Sequence, residues 1–69
     1  MNYEYFWLPE VIGDNGVYAG PSERAAPWLL TSDPYSAFRF DSKDECQKWI
    51  DEQRQNNVFR PIEHGFEII

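Results

Sequence analysis

Sixty-nine residues with a net charge of −6, an aromatic content of 17% and one cysteine describe a single small acidic domain, spanning 1–69. A chain this short buries only about 60% of the surface its unfolded form exposes, and one cysteine forms no internal bridge, so large aromatic side chains must build the core. Six basic residues scattered from Arg24 to Arg60 make no phosphate-binding patch, which excludes direct nucleic-acid binding, and no apolar run approaches the ~20 residues of a membrane span.

The opening Met1-Asn2-Tyr3-Glu4 lacks the basic start of a signal peptide, so the expected location is the cytoplasm. Tyr3 to Leu8 reads as a strand, with Pro9 ending or bending it. Tyr3, Tyr5 and Trp7 share one face of that strand; Glu4, Phe6 and Leu8 share the other. Val11-Ile12 and Val17-Tyr18 flank Gly13-Asp14-Asn15-Gly16, and the Asn-Gly pair predicts a hairpin closed by a type I′ turn. Residues 20–27 carry two prolines and no periodicity and read as a loop. Trp28 to Thr31 reads as a short buried strand.

Ser32 or Asp33 caps a turn that begins at Pro34 and places Ala37 and Phe38 together under the sheet. Phe40 then returns the chain to the core. Ser42-Lys43-Asp44-Glu45 is a capping box, and Cys46, Trp49, Ile50 and Gln53 follow at i, i+3, i+4 and i+7. Together they predict the main helix over about 43–55. Its apolar stripe faces a sheet, and Asp44, Lys48 and Glu52, with Asp51 and Arg54, offer alternating charge along the wet side. Asn56-Asn57 suits a left-handed C-terminal cap. Val58 to Glu63 reads as a last strand with Pro61 at an edge, His64-Gly65 as a turn or bulge, and Phe66 to Ile69 as strand again.

The fold expected is α+β: an antiparallel sheet of three or four strands with one helix packed on one face. Catalysis is not indicated. Cys46 lies on the apolar stripe, where a small buried hydrophobe is wanted rather than an exposed thiolate. His64 has no second cysteine or histidine for a zinc site. A calcium loop starting at Asp41 would need glycine where Cys46 stands. No phosphate-binding glycine motif occurs, so no metal and no cofactor are expected.

What remains is surface. A single helix covers one sheet face, so Tyr3, Tyr5 and Trp7, with Trp28 or Leu29, are expected on the other. Glu4, Glu10, Asp14, Glu63 and Glu67 are less obviously neutralised in sequence than the helix carboxylates and would rim that aromatic face. Aromatic surfaces of this kind are enriched at interfaces. Tyr3, Tyr5, Trp7, Glu4, Glu10, Glu63 and Glu67 are therefore the candidate partner-binding residues. The net charge is read first as solubility and second as a DNA-like surface offered to a basic partner.

One longer pattern adds a setting. Trp28-x-x-Thr31-x-Asp33-Pro34-x-x-Ala37-x-x-Phe40-x-Ser42-x-x-Glu45-Cys46-x-x-Trp49, closing with Phe59-x-Pro61-Ile62-Glu63-His64-Gly65-Phe66, resembles small uncharacterised accessory proteins from the early regions of bacteriophages and prophages. The resemblance covers roughly the C-terminal two-thirds and rests on structural positions. It implies a viral protein in the bacterial cytoplasm, and proteins of that setting include anti-CRISPR and other anti-defence inhibitors. The expected function is a non-enzymatic accessory protein that binds and modulates a host protein. The alternative is a self-associating structural module, a homodimer among its forms, without an inhibitory target.

Overall fold

A computed structural model describes residues 2–22, 28–54 and 56–68. Among these residues four antiparallel strands form one sheet in the order β3-β2-β1-β4: β1 is Asn2–Val11, β2 Tyr18–Gly20, β3 Leu29–Thr31 and β4 Phe59–Ile68. One α-helix, α1, runs from Lys43 to Asp51, and short 3₁₀ turns occupy Pro34–Ser36 and Asn56–Val58. The expected α+β architecture is what the chain adopts.

The backbone of the fold is the pairing of β1 with β4, in register from Asn2–Ile68 to Val11–Phe59. Pro9 does not end β1, and His64-Gly65 neither turns nor bulges; both strands run through. The reason lies in the ladder. Trp7 exchanges hydrogen bonds with Phe40 on the side away from β4, at 2.8 and 3.0 Å. Antiparallel pairs alternate, so the odd-numbered residues of β1 point their N–H and C=O groups away from β4. Pro9 and Pro61 lie opposite each other at one of those pairs. Neither proline is asked to donate to the β1–β4 ladder, and both are tolerated.

Pro9 matters on its other side. β2 follows β1 antiparallel, with Tyr18 opposite Glu10, which puts Ala19 beside Pro9 and leaves its carbonyl without a donor. The N–H of Phe38 fills that place at 3.0 Å. Residues 37–40 thus thread through the gap between β1 and β2. Ala37 enters the cluster on one face with Leu8, Tyr18 and Phe66. Phe38 enters the opposite cluster, with Ala19, Cys46, Ile50 and Phe59. The expectation that Ala37 and Phe38 lie together is corrected: an extended segment sends successive side chains to opposite faces.

The β1–β2 connection is a loop over 12–17 rather than a two-residue type I′ turn. Gly13 and Gly16 hold φ values of 83° and 86°, and no described non-glycine residue has positive φ, so Asn15 does not adopt the conformation that I′ requires. Each glycine sits third in a four-residue turn, closed by Asp14 N–H to Val11 O and by Val17 N–H to Asp14 O, both at 3.2 Å. That is the position at which a type II turn demands glycine.

Ser42 caps α1 by accepting from the Glu45 N–H at 3.2 Å; the return bond from the Glu45 side chain is not made among the described residues. The helix ends at Asp51, earlier than expected, where the Gln53 side chain donates to the Trp49 carbonyl at 2.9 Å. Asn56 and Asn57 open a 3₁₀ turn instead of forming a left-handed cap. Asp51 accepts from Gln47 at 2.8 Å, and the charged ladder of Asp44, Lys48 and Glu52 closes no ion pair. Strand β3 is an exposed edge rather than a buried strand, with Leu29 and Leu30 out; Trp28 is the residue of that run that packs inward, edge-on to Phe59 at 5.0 Å.

Candidate interaction surface

The register sorts the side chains of the ribbon. Glu4, Phe6, Leu8 and Glu10 share a face with Phe66, His64, Ile62 and Arg60; Tyr3, Tyr5, Trp7 and Pro9 share the other with Glu67, Gly65, Glu63 and Pro61. Helix α1 packs on the second face, over Phe59, Ala19, Trp7 and Val11. The sequence pattern places the tyrosines on the face without the helix, and the structure corrects this. They are on the same face, beyond its end, because nine helical residues span roughly 14 Å while a ten-residue strand runs over 30 Å.

The first face is covered too. Its lid is the 3₁₀ turn, held by Asp33, whose carboxylate accepts from Tyr35 N–H and the Ser36 hydroxyl at 3.0 Å each. Tyr35 stacks edge-on against Phe66 at 5.1 Å, and the Arg39 guanidinium lies 4.6 Å above the same ring. Glu4 stands exposed near the open end of this face.

On the helix-bearing face the last turn of ribbon is bare. Tyr3 is 49% exposed and Tyr5 60%, and their rings are 6.5 Å apart. Tyr5 lies across Gly65, whose missing Cβ would stand 2.9 Å from the ring. Glu67 is opposite Tyr3 and Glu63 opposite Trp7, so the two carboxylates flank the Tyr5 ring along β4. Both are exposed, and neither has an ion-pair partner among the described residues. Alternation along β1 groups these tyrosines, and Gly65, expected at a turn or bulge, instead makes room for the Tyr5 ring.

Two of the candidate residues belong to the framework instead. Trp7 is half-buried against the helix cluster, with the Lys43 ammonium 6.0 Å from its ring. Glu10 is only 6% exposed. One of its oxygens accepts from Arg60 at 2.8 and 3.2 Å and the other from the Gly16 N–H at 3.2 Å, while Arg60 also reaches Asn15. Glu10 thus ties β1, β4 and the 12–17 loop together. Its charge also helps burial push the Tyr18 phenol above its ordinary value. Asp14 stays on the loop, away from the tyrosines.

Cys46 and His64 stand on opposite sides of the sheet, so they form no dyad. Burial pushes the Cys46 thiol up to about 12, and the His64 ring packs 4.8 Å from Phe66 and 6.3 Å from Tyr18. Asp41, Asp44, Glu45 and Glu52 do not converge, and among the described residues no three metal-ligating side chains cluster. No described helix is long and apolar enough to cross a membrane. Comparison with protein-family models, with curated proteins and with solved structures finds no match to this chain.

Proposed function

We propose that this chain is a non-enzymatic binding module that docks on another protein through the Tyr3–Tyr5 end of its ribbon. The observation behind this reading is the bare tyrosine pair beside two unpaired carboxylates, on a face whose other half is sealed by α1. Tyrosine supplies contact area and a hydroxyl at little entropic cost, and such residues anchor interfaces. The resemblance of Trp28 to Phe66 to phage early-region proteins supplies the setting: a viral accessory protein acting in the host cytoplasm on a bacterial protein, with defence complexes such as CRISPR effectors as the target class. Self-association through the same patch is disfavoured, because it would bring Glu63 and Glu67 of two chains, each at −6, against one another.

The test is the double variant Tyr3→Ser/Tyr5→Ser, used beside the parent as bait in bacterial lysate at low and high salt. Both positions are exposed, so circular dichroism and the unfolding midpoint should match the parent. Loss of one stoichiometric host protein from the variant supports the reading, and its loss from the parent at high salt would assign much of the affinity to the glutamates. Capture that survives the double substitution refutes it; a parent that recovers only itself and sediments as a dimer favours the self-associating module.

A further inference from the structure

Among the described residues the outer edge of β4 is the longest open strand edge in the sheet, and its chemistry specifies a guest. Because Trp7 directs its N–H and C=O to Phe40, Trp7–Glu63 is a pair without mutual hydrogen bonds. By alternation so are Tyr5–Gly65 and Tyr3–Glu67. The backbone groups of Glu63, Gly65 and Glu67 therefore point out of the sheet, and no described group bonds to them. Pro61 closes the near end of this edge, since it has no N–H to offer.

Such an edge is a template for strand addition. A residue of a guest strand paired with Gly65 meets no side chain directly opposite. Its own side chain, on the tyrosine face, is flanked diagonally by Glu63 and Glu67 and borders the Tyr5 ring that lies across Gly65. Diagonal neighbours about 7–8 Å apart are within reach of long side chains. Two carboxylates and an aromatic ring around one position suit a guanidinium or an ammonium. A second copy is the wrong guest: a two-fold axis at Gly65 would set Glu63 of one chain directly opposite Glu67 of the other, like charge on like.

From this we infer that β4 accepts an extended segment of a partner protein as a fifth, antiparallel strand, with an arginine or lysine of that segment seated opposite Gly65 between Glu63 and Glu67. The inference rests on the reading of the chain as a protein-binding module and adds its mode of recognition.

The probe is an end-blocked heptapeptide alternating threonine and valine with arginine at its centre. It is titrated into the whole isotope-labelled chain, and binding is followed by amide shifts and hydrogen exchange. The Glu63, Gly65 and Glu67 amides should shift and slow their exchange. Those of His64 and Phe66, already bonded to β1, should be protected throughout. A central glutamate in place of arginine should weaken binding by about tenfold or more, and Glu63→Gln/Glu67→Gln should remove most of that preference. Three results overturn the inference: outward amides that do not respond, a response confined to the Tyr3 and Tyr5 amides on the other edge of the ribbon, or equal binding of the two peptides. Host-protein capture that depends on Tyr3 and Tyr5 while the β4 amides stay silent would discard strand addition and leave the docking face standing. Edge binding with capture indifferent to the tyrosines would do the reverse.

Discussion

Replacing Gly20 by alanine tests the stacking of the 3₁₀ turn on the sheet. A Cβ at Gly20 would stand 2.5 Å from the carbonyl oxygen of Ser36, 3.3 Å from Thr31 Cγ2 and 3.4 Å from Ala37 Cα. The first contact is roughly 1 Å short of ordinary van der Waals separation, and the atom it meets is backbone, so the turn itself must retreat. Retreat lifts Ala37 from Leu8, Tyr18 and Phe66 and strains the Phe38–Ala19 hydrogen bond of 3.0 Å. Overpacking of this kind costs about 1–3 kcal/mol, offset by about 0.4–1 kcal/mol from the stiffer unfolded chain. The expected net loss is about 1–2 kcal/mol, from a total near 3–10 kcal/mol for a chain of this length, or a fall in Tm of roughly 5–15 °C. The assay is thermal and urea unfolding followed by tryptophan fluorescence, with Gly65→Ala as the control. There the added Cβ meets Cε1 of Tyr5 at 2.9 Å, on an exposed ring free to swing away, so the change should stay within about 0.5 kcal/mol. A Gly20→Ala protein as stable as its parent, or a Gly65→Ala protein that loses as much, would show that the turn is not seated as described.

Cys46, Arg60, Ser42 and Trp49 each carry a further expected outcome. Cys46 should resist a disulfide reagent at pH 8 in the folded protein and react once unfolded; fast native labelling would contradict its burial. Its folded pKa lies above the ordinary 9.0, at about 12, so the neutral thiol's contribution to stability is complete below pH 9 and is lost as pH rises toward 12. Tyr18, raised in the same direction by burial and by Glu10, adds to that loss at higher pH, and Cys46→Ala should flatten the alkaline fall of the urea midpoint. Arg60→Met leaves the Glu10 carboxylate buried with the Gly16 N–H as its remaining partner. It should cost about 2 kcal/mol, less than a fully buried pair because the Arg60 side chain is half exposed; an unchanged urea midpoint would make the pair dispensable. Ser42→Ala should cost about 1 kcal/mol through the lost cap, whereas Trp49→Ala, which removes ring contacts to Phe38, Phe40 and Phe59, should cost roughly 3–5 kcal/mol and leave little folded protein by circular dichroism.

Local chemistry was legible in the chain. Ser42 capping α1, the Cys46–Ile50 stripe facing the sheet, Asp33-Pro34 opening a short turn and the parity that puts Tyr3 and Tyr5 on one side of β1 all depend on neighbours within a few residues. The departures at Pro9, His64-Gly65, Glu10 and Ala37-Phe38 share one origin. Pro9 and His64-Gly65 carry break signals, yet whether a proline or glycine interrupts a strand depends on which way its backbone groups point, and that is fixed by a partner strand far away in the sequence. The burial of Glu10 depends likewise on Arg60 lying across the ribbon. That Ala37 and Phe38 part to opposite faces depends on the gap Pro9 leaves beside Ala19. The sequence by itself determined the α+β class, the helix start and the aromatic, acidic character of the surface. Only the tertiary structure decided which face that surface occupies and which glutamates remain free on it, because a helix shorter than the strands it covers leaves the end of its own face open.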